Sequence, residues 1–216
     1  MPLPPVERDV LMVFTRYPQP GQAKTRLIPV LGAAGAAELS RRLTAHALAE
    51  AALLAQDQAV AVQVWYEGGD EQAIAACFGA ATYRRQAGSD LGERMLRSFE
   101  AAFADSADSR AVLVGTDCPA LSAALLRAAF DALARCDLVL GPARDGGYYL
   151  IGLKAAVPAL FQGIAWGTPS VHDETVAIAE RMGLAVELVA TLHDVDRPED
   201  LAHLPEHLAH DLARPD

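Results

Sequence analysis

The chain has 216 residues, is 52% hydrophobic, and sets 18 Lys and Arg against 28 Asp and Glu for a formal net charge of -10. Such an acidic chain lacks the general positive field that holds polynucleotides or anionic lipid, so coating of nucleic acid or of a membrane surface is excluded and any phosphate site has to be local. Cys77, Cys118 and Cys136 show no paired metal-ligand spacing and, being odd in number, no disulfide framework.

Residues 1–9 lack a basic start followed by an apolar run, and the most apolar long window, 43–65, is interrupted by His46, Glu50 and Asp57. A soluble, cytoplasmic protein with no membrane span is therefore expected, folded as one domain over 1–216. In chain order the pattern predicts a strand at 10–14, a helix at 33–56, a strand at 60–65 and helices at 70–78 and 91–104. It continues with a strand at 111–114, a helix at 122–135, strands at 138–140 and 148–153, a helix at 170–182, a strand at 186–190 and a helix at 199–212. Ser122 after Pro119, Ser170 after Pro169, and Pro198 with Glu199 and Asp200 supply helix-start signals. This alternation is α/β, and helical crossovers favour a largely parallel sheet. Ligands of such sheets gather beyond the carboxyl ends of the strands, so the loops that follow the strands are where chemistry is expected.

The loop after the first strand runs Thr15-Arg16-Tyr17-Pro18-Gln19-Pro20-Gly21-Gln22-Ala23-Lys24-Thr25-Arg26. Prolines and Gly21 shape a turn, and Lys24 and Arg26 near a helical start offer cations and backbone N–H groups to a polyphosphate. It is not a Walker A loop, because Ala23 stands where a glycine should precede the lysine, nor a Gly-x-Gly-x-x-Gly fingerprint. A solvated basic turn is the competing reading, and the clustering of three cations in an acidic chain weighs against it.

Gly115-Thr116-Asp117-Cys118-Pro119 follows the strand at 111–114, and His193-Asp194-Val195-Asp196 follows the last strand. Loops remote in sequence meet at one rim of such a sheet, so Asp117, Asp194 and Asp196 are candidate ligands for Mg2+ or Mn2+, hard cations that want carboxylate oxygen and neutralise phosphate. Helix capping before Pro198 would account for one of the last two acids but not both. Asp117 could also close its own turn.

Gly141-Pro142-Ala143-Arg144-Asp145-Gly146-Gly147 forms a third constellation. Gly146 and Gly147 would let backbone approach an acceptor and Asp145 would position or deprotonate it, while Asp-Gly is also a strong hairpin signal. In Gln86-Ala87-Gly88-Ser89-Asp90, Gln86 is a candidate reader of a base edge, and Asp90 is either a ligand contact or a cap. Trp166 is a candidate pocket wall, whereas His172 reads equally as a helix-end residue. Cys118 has no histidine near it in sequence to activate it as a nucleophile.

Together Phe14-Thr15-Arg16-Tyr17-Pro18, Lys24-Thr25-Arg26-Leu27, Asp90-Leu91-Gly92-Glu93-Arg94-Met95, Gly115-Thr116-Asp117-Cys118-Pro119, Asp145-Gly146-Gly147-Tyr148-Tyr149-Leu150 and Asp194-Val195-Asp196 resemble the nucleotide-diphospho-sugar transferase superfamily of GT-A fold. More narrowly, the chain resembles the small bacterial glycosyltransferase-like proteins associated with radical-SAM and selenium- or arsenosugar-related gene groups. In layout it is similar to the guanylyltransferases acting on phospholactate and molybdenum cofactor. The resemblance implies a three-layer α/β/α sandwich around a mixed, mostly parallel, Rossmann-like sheet, with nucleotide over the first half and acceptor over the second. It implies metal at Asp117, with a lysine in the first loop and aspartates at the later two sites; beside it, the reading of the residues assigns nucleotide contacts to Thr15, Arg16, Gly21, Lys24, Arg26, Gln86 and Asp90, acceptor contacts to Gly146, Gly147 and Trp166, and catalytic roles to Lys24, Asp117 and Asp145. Two departures stand out: Thr15-Arg16-Tyr17-Pro18 replaces the glycine-rich nucleotidyltransferase opening, and Thr116 and Cys118 flank Asp117 where many sugar transferases have Asp-x-Asp.

The expected activity is metal-dependent glycosyl transfer from a nucleotide-diphospho-sugar to a small-molecule acceptor. The alternatives are nucleotidyl transfer from a nucleoside triphosphate to a small phosphorylated acceptor, and a catalytically silent nucleotide-binding protein.

Overall fold

The computed structural model describes residues 9–105 and 109–212. Strand β1 (Asp9–Arg16) leads through a 3-10 turn (Thr25–Leu27) into α1 (Ile28–Asp57), followed by β2 (Val60–Glu67), α2 (Glu71–Phe78), β3 (Thr82–Arg85) and α3 (Leu91–Asp105). Then come β4 (Ala111–Gly115), α4 (Ala123–Ala132), β5 (Leu138–Pro142), β6 (Tyr148–Leu153), α5 (Val171–Arg181) and β7 (Val186–Leu188). The seven strands form one sheet in the order β3-β2-β1-β4-β6-β5-β7, parallel except for β6, which runs against β4 and β5. This is the mixed, mostly parallel α/β sheet expected from the sequence.

Alternation of side chains along the strands makes the three layers. Leu11 and Val13 of β1 and Val112 and Val114 of β4 pack with Ala47, Ala51 and Leu54 of α1, with Leu126 and Phe130 of α4 and with Leu133 at its end. Their neighbours Val10, Met12, Phe14, Ala111 and Leu113 face the opposite way, onto Met95 and Phe99 of α3, Ala179 of α5, and Leu160 and Phe161. Each fully buried large side chain contributes roughly 1.5–3 kcal/mol of transfer free energy, so both faces of the sheet have to be covered. Two helix starts follow the capping logic: Asp70 accepts from Ala73 N–H at 2.8 Å and Ser122 from Leu125 N–H at 3.3 Å.

Several boundaries differ from expectation for physical reasons. Strand β3 escapes the hydrophobic pattern because Thr-Tyr-Arg-Arg at a sheet edge needs no apolar run; Tyr83 packs edge-on to Tyr66 and Arg84 lies 5.7 Å from the Trp65 ring centroid. The last helix, expected over 199–212, is a 3-10 segment (Pro198–His203) and a single turn (Glu206–Ala209), because Pro205 has no N–H to donate. The first helix starts at Ile28 and is interrupted at Gly32, whose φ of 69° is not helical. Among the described residues no helix is long and apolar enough to cross a membrane.

The chain runs outward from β1 to β2 and β3, then returns to place β4 on the other side of β1. The crevice at that reversal lies beyond Arg16 and Gly115, which is where an open sheet of this kind places its ligand. Because β6 is antiparallel, the 143–147 turn joining it to β5 reaches the same rim, with Ala143 N–H donating to Gly147 O at 3.0 Å. The turn is locked against the segment entering α5: His172 N–H donates to Gly146 O, and a Cβ on Gly146 would lie 2.2 Å from Pro169 O at a φ of +89°. Gly146 therefore serves a close approach of backbone to backbone. Gly146→Ala is expected to destabilise the protein by at least about 2 kcal/mol in urea unfolding, since both the clash and the left-handed backbone resist relaxation; a midpoint equal to wild type would contradict this packing.

Candidate active site

Lys24 is the junction of the rim. Its backbone is left-handed, with φ 44° and ψ 50°, and its side chain is only 5% exposed. The ammonium donates to Asp117 Oδ1 at 2.6 Å and to Val195 O at 2.6 Å. Val195 N–H in turn donates to Asp117 O at 2.9 Å. The loops after β1, β4 and β7 are thus fastened at one point, and a buried ammonium demands such partners because desolvating it unpaired would cost several kcal/mol.

Two hollows open on either side of Asp117. The first, about 400 Å3, is lined by Thr15, Arg16, Lys24, Ser40, Glu67, Gln86, Arg94, Thr116, Asp117 and Asp196. Arg16 and Arg94 both reach Glu67 Oε2, at 2.7 and 2.8 Å. Partial burial pushes the Glu67 carboxyl up, but the hydrogen bonds and charges of Arg16 and Arg94 prevail and hold it below the ordinary range. Thr15 Oγ1 is buried against Thr44 Oγ1 at 2.9 Å. Gln86 Nε2 donates to Thr15 O and Trp65 O, which commits that amide group to bracing the ends of β1 and β2.

The second hollow, about 340 Å3, carries Asp117, Asp145 and Asp194 among apolar and aromatic residues that include Phe14, Met95, Tyr148 and Trp166. Burial is the main reason the Asp194 carboxyl is pushed up to about 6, followed by the charge of Asp145, with Asp200 and Asp117 adding to it against a backbone hydrogen bond. Asp145 Oδ1 accepts from Gly147 N–H at 2.8 Å, which orients its carboxylate within the turn. Cys118 also lines this hollow; burial first, then Asp117, Asp194 and Asp145, push its thiol up, so it is not an activated nucleophile.

The expected site residues are thereby divided. Asp117 shares one hollow with Asp194 and Asp145 and the other with Asp196. Asp194 and Asp196 do not share a hollow, because Val195 between them is buried in the fold and the Asp196 side chain pairs with Arg26. Arg26 and Gly21 do not line either hollow, and Asp90 Oδ1 accepts from Glu93 N–H at 2.8 Å as a cap of α3. Trp166 and Gly147 line the second hollow. Sequence reasoning missed Glu67 and the role of Arg94; the signal available was that Glu67 ends the second strand, where ligand-facing residues collect.

Among the described residues no three His, Cys, Asp or Glu side chains converge closely enough to hold a metal ion alone. The donor set nevertheless fits Mg2+ or Mn2+ of the kind held by one or two carboxylates together with substrate phosphate. Asp117 and Asp194 face one hollow, and the mutual repulsion of its acids leaves negative charge that a divalent cation would offset.

The family described as "Uncharacterized protein conserved in bacteria (DUF2064)" matches residues 48–168. A solved structure from Desulfovibrio desulfuricans, provisionally described as a nucleotide-diphospho-sugar transferase, is 36% identical with a TM-score of 0.84, over 91% of this chain and 85% of that one. Two others share the fold alone. The 4-diphosphocytidyl-2C-methyl-D-erythritol synthase from Anaerococcus prevotii is 13% identical with a TM-score of 0.59, over 95% of this chain and 100% of that one. The 2-C-methyl-D-erythritol 4-phosphate cytidylyltransferase from Thermus thermophilus is 18% identical with a TM-score of 0.51, over 94% of this chain and 100% of that one. No curated protein matches the chain.

The raised carboxyl of Asp194 has a stability signature. Its folded value of about 6 lies above the ordinary 3.8, so the group contributes stability that is complete below about pH 4 and is lost as pH rises through about 6. In metal-free protein, Asp194→Asn is expected to raise stability at about pH 8 by on the order of 1 kcal/mol, after allowing for solvent screening, and to change it little at about pH 4. Thermal unfolding across that range checks this, and a variant less stable than wild type at the alkaline end would contradict the repulsion.

Proposed function

The chain belongs to the DUF2064 family, and from that premise we propose that it is a metal-dependent transferase that passes a glycosyl group from a nucleotide-diphospho-sugar to a small-molecule acceptor. The observation that carries the reading is the division of the rim at Asp117 into a hollow bearing cations and a hollow whose charged lining is acidic throughout.

The nucleotide is assigned to the first hollow. Lys24 and Arg16 stand over the ends of β1, Arg94 faces them from α3, and the hydroxyls of Ser40 and Thr116 add hydrogen-bonding groups. Of the three cations that line it, Arg16 and Arg94 are already paired with Glu67 and Lys24 with Asp117. A diphosphate there accordingly calls for extra positive charge. Mg2+ or Mn2+ at Asp117 and Asp194, when bound, would supply that charge and stabilise the leaving diphosphate.

On the acceptor side, Asp145 has one carboxylate oxygen held by Gly147 N–H, which leaves the other to take a proton. The acceptor oxygen forms a bond to the anomeric carbon as the bond from that carbon to the diphosphate oxygen breaks. The electron pair leaves with the nucleoside diphosphate, and the acceptor proton passes to Asp145. Nucleotidyl transfer to a phosphorylated acceptor suits the site less well, because its nucleophile is an anion and no Lys, Arg or His lines the second hollow among the described residues.

Thermal-shift titration tests the reading. A nucleotide sugar with Mg2+ or Mn2+ is expected to stabilise the protein by about 2.7 kcal/mol at a hundredfold excess over its dissociation constant, and more than a nucleoside triphosphate does. Preference for the triphosphate would favour nucleotidyl transfer, and indifference to both would favour a silent scaffold. Lys24→Ala is expected to weaken nucleotide binding by roughly tenfold or more, and most for ligands with more phosphates. Asp117→Asn, which keeps an oxygen for the Lys24 ammonium, should abolish the metal-dependent part of binding while circular dichroism stays native; full metal dependence in that variant would refute the assignment.

A further inference from the structure

We infer that the acceptor is a small molecule with an apolar, ring-sized body and a neutral hydroxyl or an amine as its reacting end, and that the second hollow itself rejects acceptors bearing phosphate or carboxylate. This rests on the assignment of that hollow to the acceptor.

Charge comes first. The charged side chains lining the hollow are Asp117, Asp145 and Asp194, and among the described residues no cationic side chain lines it. Ionised carboxylates only accept hydrogen bonds, so a ligand that meets them has to bring N–H or O–H groups. Lys24 offsets one of the three charges, which in the metal-free protein leaves two facing a ligand. A divalent cation at Asp117 and Asp194 would direct its charge to the diphosphate of the neighbouring hollow, so an anionic acceptor would still be desolvated beside Asp145 with no cationic side chain to meet it. The neighbouring hollow differs in carrying Arg16, Lys24 and Arg94 alongside its acids Glu67, Asp117 and Asp196, so the cationic groups that phosphate calls for line only that side of Asp117.

Shape and wall chemistry come second. Phe14 of β1, Leu113 of β4 and Ile151 of β6 line the hollow and also belong to the core packed under α3 and α5, so the hollow is the open end of that core. At about 340 Å3 it exceeds twice the ~150 Å3 of an apolar cavity able to take benzene, which leaves room for a ring with a substituent. Tyr148 meets Trp166 edge to face, with centroids 6.4 Å apart and planes at 86°. Trp166 is itself pinned, because a Cβ on Gly92 in the first turn of α3 would lie 2.5 Å from its Nε1. The aromatic wall therefore exists before a ligand arrives, which suits a rigid apolar body. The Cys118 thiol, held protonated, adds a neutral lining group.

The test compares four probes that share one ring and differ in the head group: benzyl alcohol, benzylamine, benzoate and phenyl phosphate. Binding is read from the indole N–H resonance of Trp166 in the full-length protein, distinguished from that of Trp65 by a Trp166→Phe sample. Benzyl alcohol and benzylamine are expected to shift that resonance with dissociation constants at least about tenfold below those of benzoate and phenyl phosphate. In Asp145→Asn combined with Asp194→Asn the discrimination should shrink, with the anions gaining affinity. Anions that bind as tightly as the alcohol, or an indole resonance unmoved by all four, overturn the inference. A nucleotide sugar with Mg2+ is titrated in parallel. If it binds while the alcohol and amine do not, the acceptor class alone fails; if the probes behave as expected and no nucleotide binds, it is the transferase reading that fails.

Discussion

A buried ammonium holds this site together. Lys24 reaches across the rim to a carboxylate of one loop and a carbonyl of another, and its own backbone sits in a left-handed conformation that a residue with a side chain adopts only when its surroundings require it. With 5% of its side chain exposed, the charge has little water to fall back on. Its partners are consequently structural necessities. The same contact sets the position of Asp117, the charged residue common to both hollows among the described residues.

Sheet topology explains why a hollow of mixed charge and an acidic, apolar one stand side by side. The reversal between β1 and β4 opens a crevice, the parallel strands send their loops to it, and the one antiparallel strand delivers a turn to the same rim. Arg16 and Glu67 come from adjacent strand ends, so their cluster arises on the β1–β2 side. Asp145 and Asp194 come from the turn after β5 and the segment after β7, which the Ala143–Leu192 bridge holds next to each other. Separation of charge across the site therefore follows from strand order.

Much of this was legible in the sequence. Apolar β-branched runs marked six of the seven strands, and the motif after β4 pointed to Asp117 as the centre of the rim. The Asp145-Gly146 pair announced its turn, and the glycine is required there by the close approach of Pro169. What stayed hidden depended on partners far away along the chain. Nothing in the local run around Asp196 says that it turns to Arg26, and nothing around Gln86 says that its amide braces two carbonyls. Strand β3 was invisible because edge pairing makes few demands on hydrophobicity.

The span of the Lys24 contact matters for how the protein comes into being. Lys24 and Val195 are 171 positions apart, so a chain emerging from the ribosome can complete most of the sheet while its lysine still waits for the last loop. Until residue 195 has been made, Asp117 has no neighbouring backbone to fasten to, and the rim stays open to water. Closure of the rim thus has to follow the synthesis of all seven strands, and a chain released upstream of residue 195 would lack the Val195 backbone that fastens Lys24 and Asp117.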